Sequence, residues 1–188
     1  MADSKKKSVK KVEGKKAPAK KGKKKLGSDC SFEIDVPRGG QVIQFFNLTP
    51  ALPTATSPGD WIFSTPGSAV DISTLTVGFE LNPSALERQF ERAILVVSIQ
   101  QNPATGGTWR FALGGVATDH GDENPYNDIA VEVIDNGFTL LVYVQALENN
   151  EENAPFGFVA SYTDSKTGVV SIYESGDPII IVDRPPKP

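Results

Sequence analysis

Cysteine and histidine are almost missing from this chain: 188 residues hold one of each, Cys30 and His120. A single thiol excludes an internal disulfide, and no Cys–His pairing marks it as a nucleophile. A lone histidine among carboxylates falls short of the three or four nitrogen and sulfur ligands of a zinc centre and reads as a solvated loop residue. No run of ~18 apolar residues occurs, so no transmembrane helix is expected. Lysines fill the N-terminus with no apolar segment behind them, unlike a signal peptide, and the expected compartment is intracellular. Phosphate loop, dinucleotide fingerprint, nucleophile elbow and metalloprotease helix are all lacking, and the chain is expected not to be an enzyme. Glu151 and Glu152, in "ENNEENAP", read as part of a hydrated loop and not as the paired carboxylates of a cleft.

What is present is a sharp division of charge. Residues 1–25 carry twelve lysines against Asp3 and Glu13, a net of +10, while residues 26–188 carry seven basic side chains against 21 acids, a net of −14. A basic tail, residues 1–28, is therefore expected ahead of one folded domain, residues 29–188. The tail has too few apolar side chains to offset its ordering entropy and is predicted to be disordered alone. Lys5, Lys6, Lys7, Lys10, Lys11, Lys15, Lys16, Lys20, Lys21, Lys23, Lys24 and Lys25 are candidate contacts to nucleic acid or another polyanion. Lysine is a compact point charge that suits phosphate without reading bases, and no aromatic is interleaved for base stacking. In composition the segment resembles linker-histone tails and the basic arms of small viral coat proteins. A nuclear localisation signal, a solubility tail, or an arm folded back on its own acidic domain remain alternatives.

From Asp29 onward, short β-rich runs alternate with Pro, Gly, Asn and Asp. Eleven candidate strands, "SFEIDVP" through "PIIIVD", predict an all-β fold, an antiparallel, jelly-roll-like sandwich of about ten strands. One short helix is expected at "NPSALERQFER", with Asn82 as cap, Pro83 at the first position, and Leu86, Phe90 and Ala93 at helical spacing. Asn136-Gly137 predicts a type I′ hairpin, because both positions need positive φ. That register pairs Val133 with Leu140, Val131 with Val142 and Ile129 with Val144 on the core side. Glu132 opposite Leu141 and Ala130 opposite Tyr143 make a mixed outer surface. A second hairpin is expected through "TDSKTG", residues 163–168. Trp61 and Trp109 read as core residues, with a sugar- or partner-binding face as the alternative.

The stretch "DHGDENPYND", residues 119–128, gathers six oxygen-bearing side chains ahead of an apolar strand. Its residues suit either calcium, which takes six to eight oxygens, or turn capping by Asn and Asp. The run Tyr126-Asn127-Asp128 before "IAVEV" resembles the acidic calcium loop of fucose-type bacterial lectins. The resemblance implies Asp119, Asp122, Asn124, Asn127 and Asp128 as metal ligands, calcium as the ion, and carbohydrate as a partner.

Together these readings favour a non-enzymatic binding or structural protein. The sandwich would mediate assembly, including self-association, while the arm neutralises nucleic acid. That division resembles the architecture of small icosahedral coat proteins, which implies a virion location. A calcium-dependent carbohydrate-binding module is the alternative, and an adaptor for basic clients a third.

Overall fold

Buried and outward positions alternate residue by residue along most of the chain's extended segments, as a half-buried pleated strand requires. The computed structural model describes residues 30–55, 59–102, 106–117, 129–146, 151–176 and 178–184, with backbone alone over 151–155. The basic tail, the acidic loop and His120 lie outside the described residues. The described elements are β1 (Ser31–Val36), β2 (Gln41–Thr49), β3 (Ile62–Ser64), β4 (Thr74–Phe79), α1 (Ala85–Phe90), β5 (Arg92–Ile99) and β6 (Gly107–Ala117), followed by β7 (Ile129–Ile134), β8 (Thr139–Val144), β9 (Glu151–Pro155), β10 (Gly157–Asp164), β11 (Val170–Glu174) and β12 (Ile179–Asp183). They form three sheets, ordered β1-β4-β12-β9, β11-β10-β6 and β3-β2-β5-β8-β7. The chain is an all-β sandwich with one short helix, as its patterning predicts.

One core joins the sheets. Ile34, Val36, Leu75, Val77, Ile180 and Val182 point inward from the four-stranded sheet, and Phe46, Leu48, Leu95, Val97, Leu140 and Val142 from the five-stranded one. Aromatic contacts run between them: Phe32 meets Phe46 at 5.5 Å and Phe63 meets Phe158 at 5.2 Å between ring centroids. Trp109 is fully buried against Tyr162 and Tyr173.

The four- and five-stranded sheets are mixed rather than purely antiparallel, and the three-stranded sheet is antiparallel throughout. β1 pairs parallel with β4, β4 with β12, and β2 with β5. A parallel pair needs a long crossover, which usually passes through a helix. Here the opposite sheet supplies it, because the chain alternates layers: β2 and β3 intervene between β1 and β4, and β4 with α1 intervenes between β3 and β5. Periodicity reports which residues face inward but not which layer a strand joins.

Two local readings are corrected. Residues 151–155 are not a loop but the edge strand β9, paired antiparallel to β12 from Glu151–Asp183 to Pro155–Ile179. It lacks apolar alternation because charge and proline are what a sheet edge tolerates. The helix is capped by Ser84 and not Asn82, in a full capping box: the Ser84 side chain accepts from the Glu87 N–H at 3.2 Å, and the Ser84 N–H donates to the Glu87 carboxylate at 2.6 Å. Asn82 instead holds a left-handed φ of 55°. Arg38 donates to both Glu87 oxygens at 3.1 Å and to the Asn82 carbonyl at 3.0 Å. The Ser84 backbone N–H, then its side chain and Arg38, lower the Glu87 carboxyl from its ordinary 4.5 to about 2. Leu86 and Phe90 are exposed, and Ala93 reaches the core from β5.

Both hairpins form, the first in the predicted register. β7 and β8 pair Ile129–Val144, Val131–Val142 and Val133–Leu140, and Leu140, Val142 and Val144 are fully buried. Positive φ values at Asn136 and Gly137 close the turn, with Asp135 also left-handed, so the ladder stops at Ile134–Thr139. Between β10 and β11 the Asp164 carboxylate accepts from the N–H groups of Lys166 and Thr167, each at 2.8 Å. Those N–H groups, Thr167's foremost, hold its carboxyl below the ordinary value.

Candidate interaction face

The five-stranded sheet has two apolar faces. Its inner face belongs to the core. Its outer face is set by the same alternation, offset by one residue: burying Phe46, Ala93, Leu95, Leu140 and Val142 turns Phe45, Ile94, Val96, Leu141 and Tyr143 outward. Strand register aligns them across four strands in two rows, Ile43–Ile94–Tyr143–Ala130 and Phe45–Val96–Leu141–Glu132. Ile43 and Phe45 are 57% and 55% exposed, and Ile94, Val96, Leu141 and Tyr143 are half-buried by one another.

Polar groups are confined to the margins. Gln41–Arg92 lies on one side, and Asn47–Ser98–Thr139 on the other. Arg92 lies 5.8 Å from the Tyr143 ring centroid, and the Tyr143 hydroxyl is 3.5 Å from Glu132. The two rows contain Glu132 alone as a charged residue, and Arg92 borders them. An apolar centre with a polar rim is the anatomy of a protein–protein contact, and a contiguous patch of this kind is uncommon on a monomer's surface.

None of the candidate site residues from the sequence is among the residues described on this face. The twelve tail lysines and Asp119, Asp122, Asn124, Asn127 and Asp128 lie outside the described residues. Among the described residues no three His, Cys, Asp or Glu stand together as a metal site, and no helix is long and apolar enough to cross a membrane. Asn47, in a glycosylation-type triplet, lies in β2 and accepts from Gln100 at 3.0 Å. The signal for the face was in the sequence all the same. "AILVV" in β5 and "LLVYV" in β8 are unbroken apolar runs where a strand with one solvated face would alternate with polar residues.

An all-β sandwich with an apolar outer sheet face belongs to the general class of small β-rich domains. Residues 30–184 match the profile of the DP-EP family, and the chain belongs to that family. No curated protein sequence matches it. Among solved structures it is similar to the cysteine protease inhibitor EhICP2 from Entamoeba histolytica, at 7% identity and a TM-score of 0.23, over 76% of this chain and 96% of that one. A superposition that loose transfers no property.

Proposed function

We propose that this chain is a non-enzymatic assembly and binding protein, in which the outer face of the five-stranded sheet seats a second copy of the domain and the lysine-rich arm grasps a polyanion, nucleic acid foremost. The observation that carries this reading is the two-row apolar patch from Ile43 and Phe45 to Leu141 and Tyr143. A second copy suits it because the domain is strongly acidic overall, whereas this face carries charge only at its margins, one arginine and one glutamate. Two copies therefore meet there without like charges at the centre. Sheet faces pack on one another about 10 Å apart in sandwiches, so the geometry is one that β domains already use internally.

Light scattering coupled to gel filtration tests the assembly: the full chain is expected to gain mass with concentration, and a Phe45→Ser variant to remain monomeric. Equal mass for both across the range, with both folded, overturns it. The arm is tested separately, by retention of nucleic acid in low salt and its loss when the tail lysines are changed to glutamine.

A further inference from the structure

A cleft of about 510 Å³ opens at the seam between the five-stranded and three-stranded sheets, away from the apolar face. That size falls within the range of small-ligand sites. Buried Leu48 and Phe63 form its apolar floor, Trp61 supplies a half-buried aromatic wall, and the exposed residues Asp60, Asp71 and Glu174 place three carboxylates around it.

The walls are fixed from several directions. The Trp61 indole donates to the Ala51 carbonyl at 3.1 Å and stands edge-on to Trp109 at 5.6 Å. Gly59 has φ +89°, and a Cβ there would come within 2.7 Å of the same Ala51 carbonyl, so glycine is required for this approach. Asp71 accepts from the Phe63 N–H at 2.9 Å. Ser175, beside Glu174, exchanges two hydrogen bonds with Phe158, its Oγ accepting at 2.7 Å and its N–H donating at 2.9 Å.

No basic side chain lines the cleft among the described residues. The neighbouring sequence adds none either: Thr56, Ser57 and Pro58 precede Gly59, and Asp177 follows Gly176. The carboxylates are not gathered closely enough to hold a metal ion. An aromatic wall, an apolar floor and dispersed carboxylates instead match an ammonium on an alkyl stem, whose methylenes pack below while the charge stays at the rim.

The entry point of the chain's own basic segment bears on which cation this is. The Cys30 carbonyl accepts from the Ser73 N–H at 3.1 Å, so the arm joins the domain two residues along the chain from Asp71. Lys25, five residues before Cys30, can reach up to about 17 Å. We propose that this cleft binds a lysine side chain, and that its occupant is the lysine-rich arm of this chain. The arm is then held against the domain until a polyanion competes for it.

Nitrogen-15 NMR reads this directly, because the two tryptophans give one indole N–H signal each. Tetralysine is titrated into the full chain and into the full chain with its twelve tail lysines changed to glutamine. The expected result is a saturable movement of the Trp61 signal in the glutamine-tail chain, with little added in the native chain, where that signal already sits near the saturated position. In the same glutamine-tail background, Asp60→Asn with Glu174→Gln is expected to weaken tetralysine binding at least about tenfold. Asp60→Asn alone, at an exposed carboxylate, repeats the measurement if the double variant is unstable. Equal responses from the native and glutamine-tail chains overturn the arm as occupant and assign the cleft to a basic partner. No movement of the Trp61 signal, or movement undiminished by the carboxylate changes, overturns lysine binding altogether.

Discussion

Arg184, at the end of β12, and Glu91, at the junction of α1 and β5, form an ion pair at 2.5 Å with both side chains fully buried. The pair ties the four-stranded sheet to the five-stranded one. Glu91 also accepts from the Gly39 N–H at 3.0 Å. Arg184 donates to the Glu80 carbonyl at 3.1 Å and lies 5.1 Å from the Phe79 ring centroid. A buried pair of this kind adds little over an apolar replacement, but breaking it strands a charge. Arg184→Met is expected to cost about 3–5 kcal/mol in denaturant unfolding. Glu91→Gln with Arg184→Met, which keeps an acceptor for Gly39, is expected to recover most of that loss. An Arg184→Met domain as stable as the native one would show that the pair does not join the sheets.

The outer sheet face makes the opposite prediction, of binding lost without loss of fold. Ile43 and Phe45 contribute little to the core, so Ile43→Ser and Phe45→Ser are each expected to change stability by no more than ~0.5 kcal/mol. Both are expected to abolish concentration-dependent association in sedimentation velocity. A variant that loses stability but still associates would place the contact elsewhere.

The capping box predicts a pH response. The Glu87 value in the fold, about 2, lies below its ordinary 4.5. Its contribution to helix stability is therefore complete above pH 4.5, declines as the pH falls below that, and is gone below 2. Carbon-13 NMR of the carboxyl is expected to place its midpoint near the lower value, and Ser84→Ala, which removes the side chain but keeps the backbone N–H, to raise it only in part. Ser84→Ala is also expected to cost ~1 kcal/mol. An unchanged midpoint in that variant would remove the Ser84 side chain as a cause and leave the backbone N–H and Arg38.

At the β7–β8 turn, Gly137 holds φ +91°, and an added Cβ would stand 3.0 Å from the Arg110 Cβ. Gly137→Ala is expected to destabilise by about 1–2 kcal/mol. Asn136→Gly, which removes side-chain strain at φ 53°, is expected to be nearly neutral. Thermal unfolding separates the two.

For the arm, binding to duplex DNA is expected to fall with salt at a log–log slope of about −0.9 for each phosphate met, and to show no preference among sequences. Fluorescence anisotropy across a salt series measures it. A slope near zero would mean that the lysines make no phosphate contacts.

Much of the fold was legible because it rests on local chemistry. Asn136-Gly137 determined a turn, the turn set the β7–β8 register, and the register placed Val131, Val133, Leu140 and Val142 on one side. Ser84 was misread as interior to the helix because Asn82-Pro83 is also a sound cap pattern, and only the left-handed φ of Asn82 and the reach of Arg38 chose between them. β9 was illegible because its ladder partner is β12, which lies about two dozen residues further along the chain. The role of Glu91 was illegible too, since nothing local announces a partner 93 residues away.

Composition and periodicity by themselves determined an acidic β domain, a cationic N-terminal segment, the inward side of most strands and two hairpins, because each depends on neighbours in the chain or on summed charge. The tertiary structure alone decided which strands share a sheet, which apolar residues stay outside, and that Asp60, Asp71 and Glu174 surround one aromatic cleft. Those outcomes depend on contacts between segments far apart in sequence, whose order is set by packing the whole core at once and by no short stretch of residues.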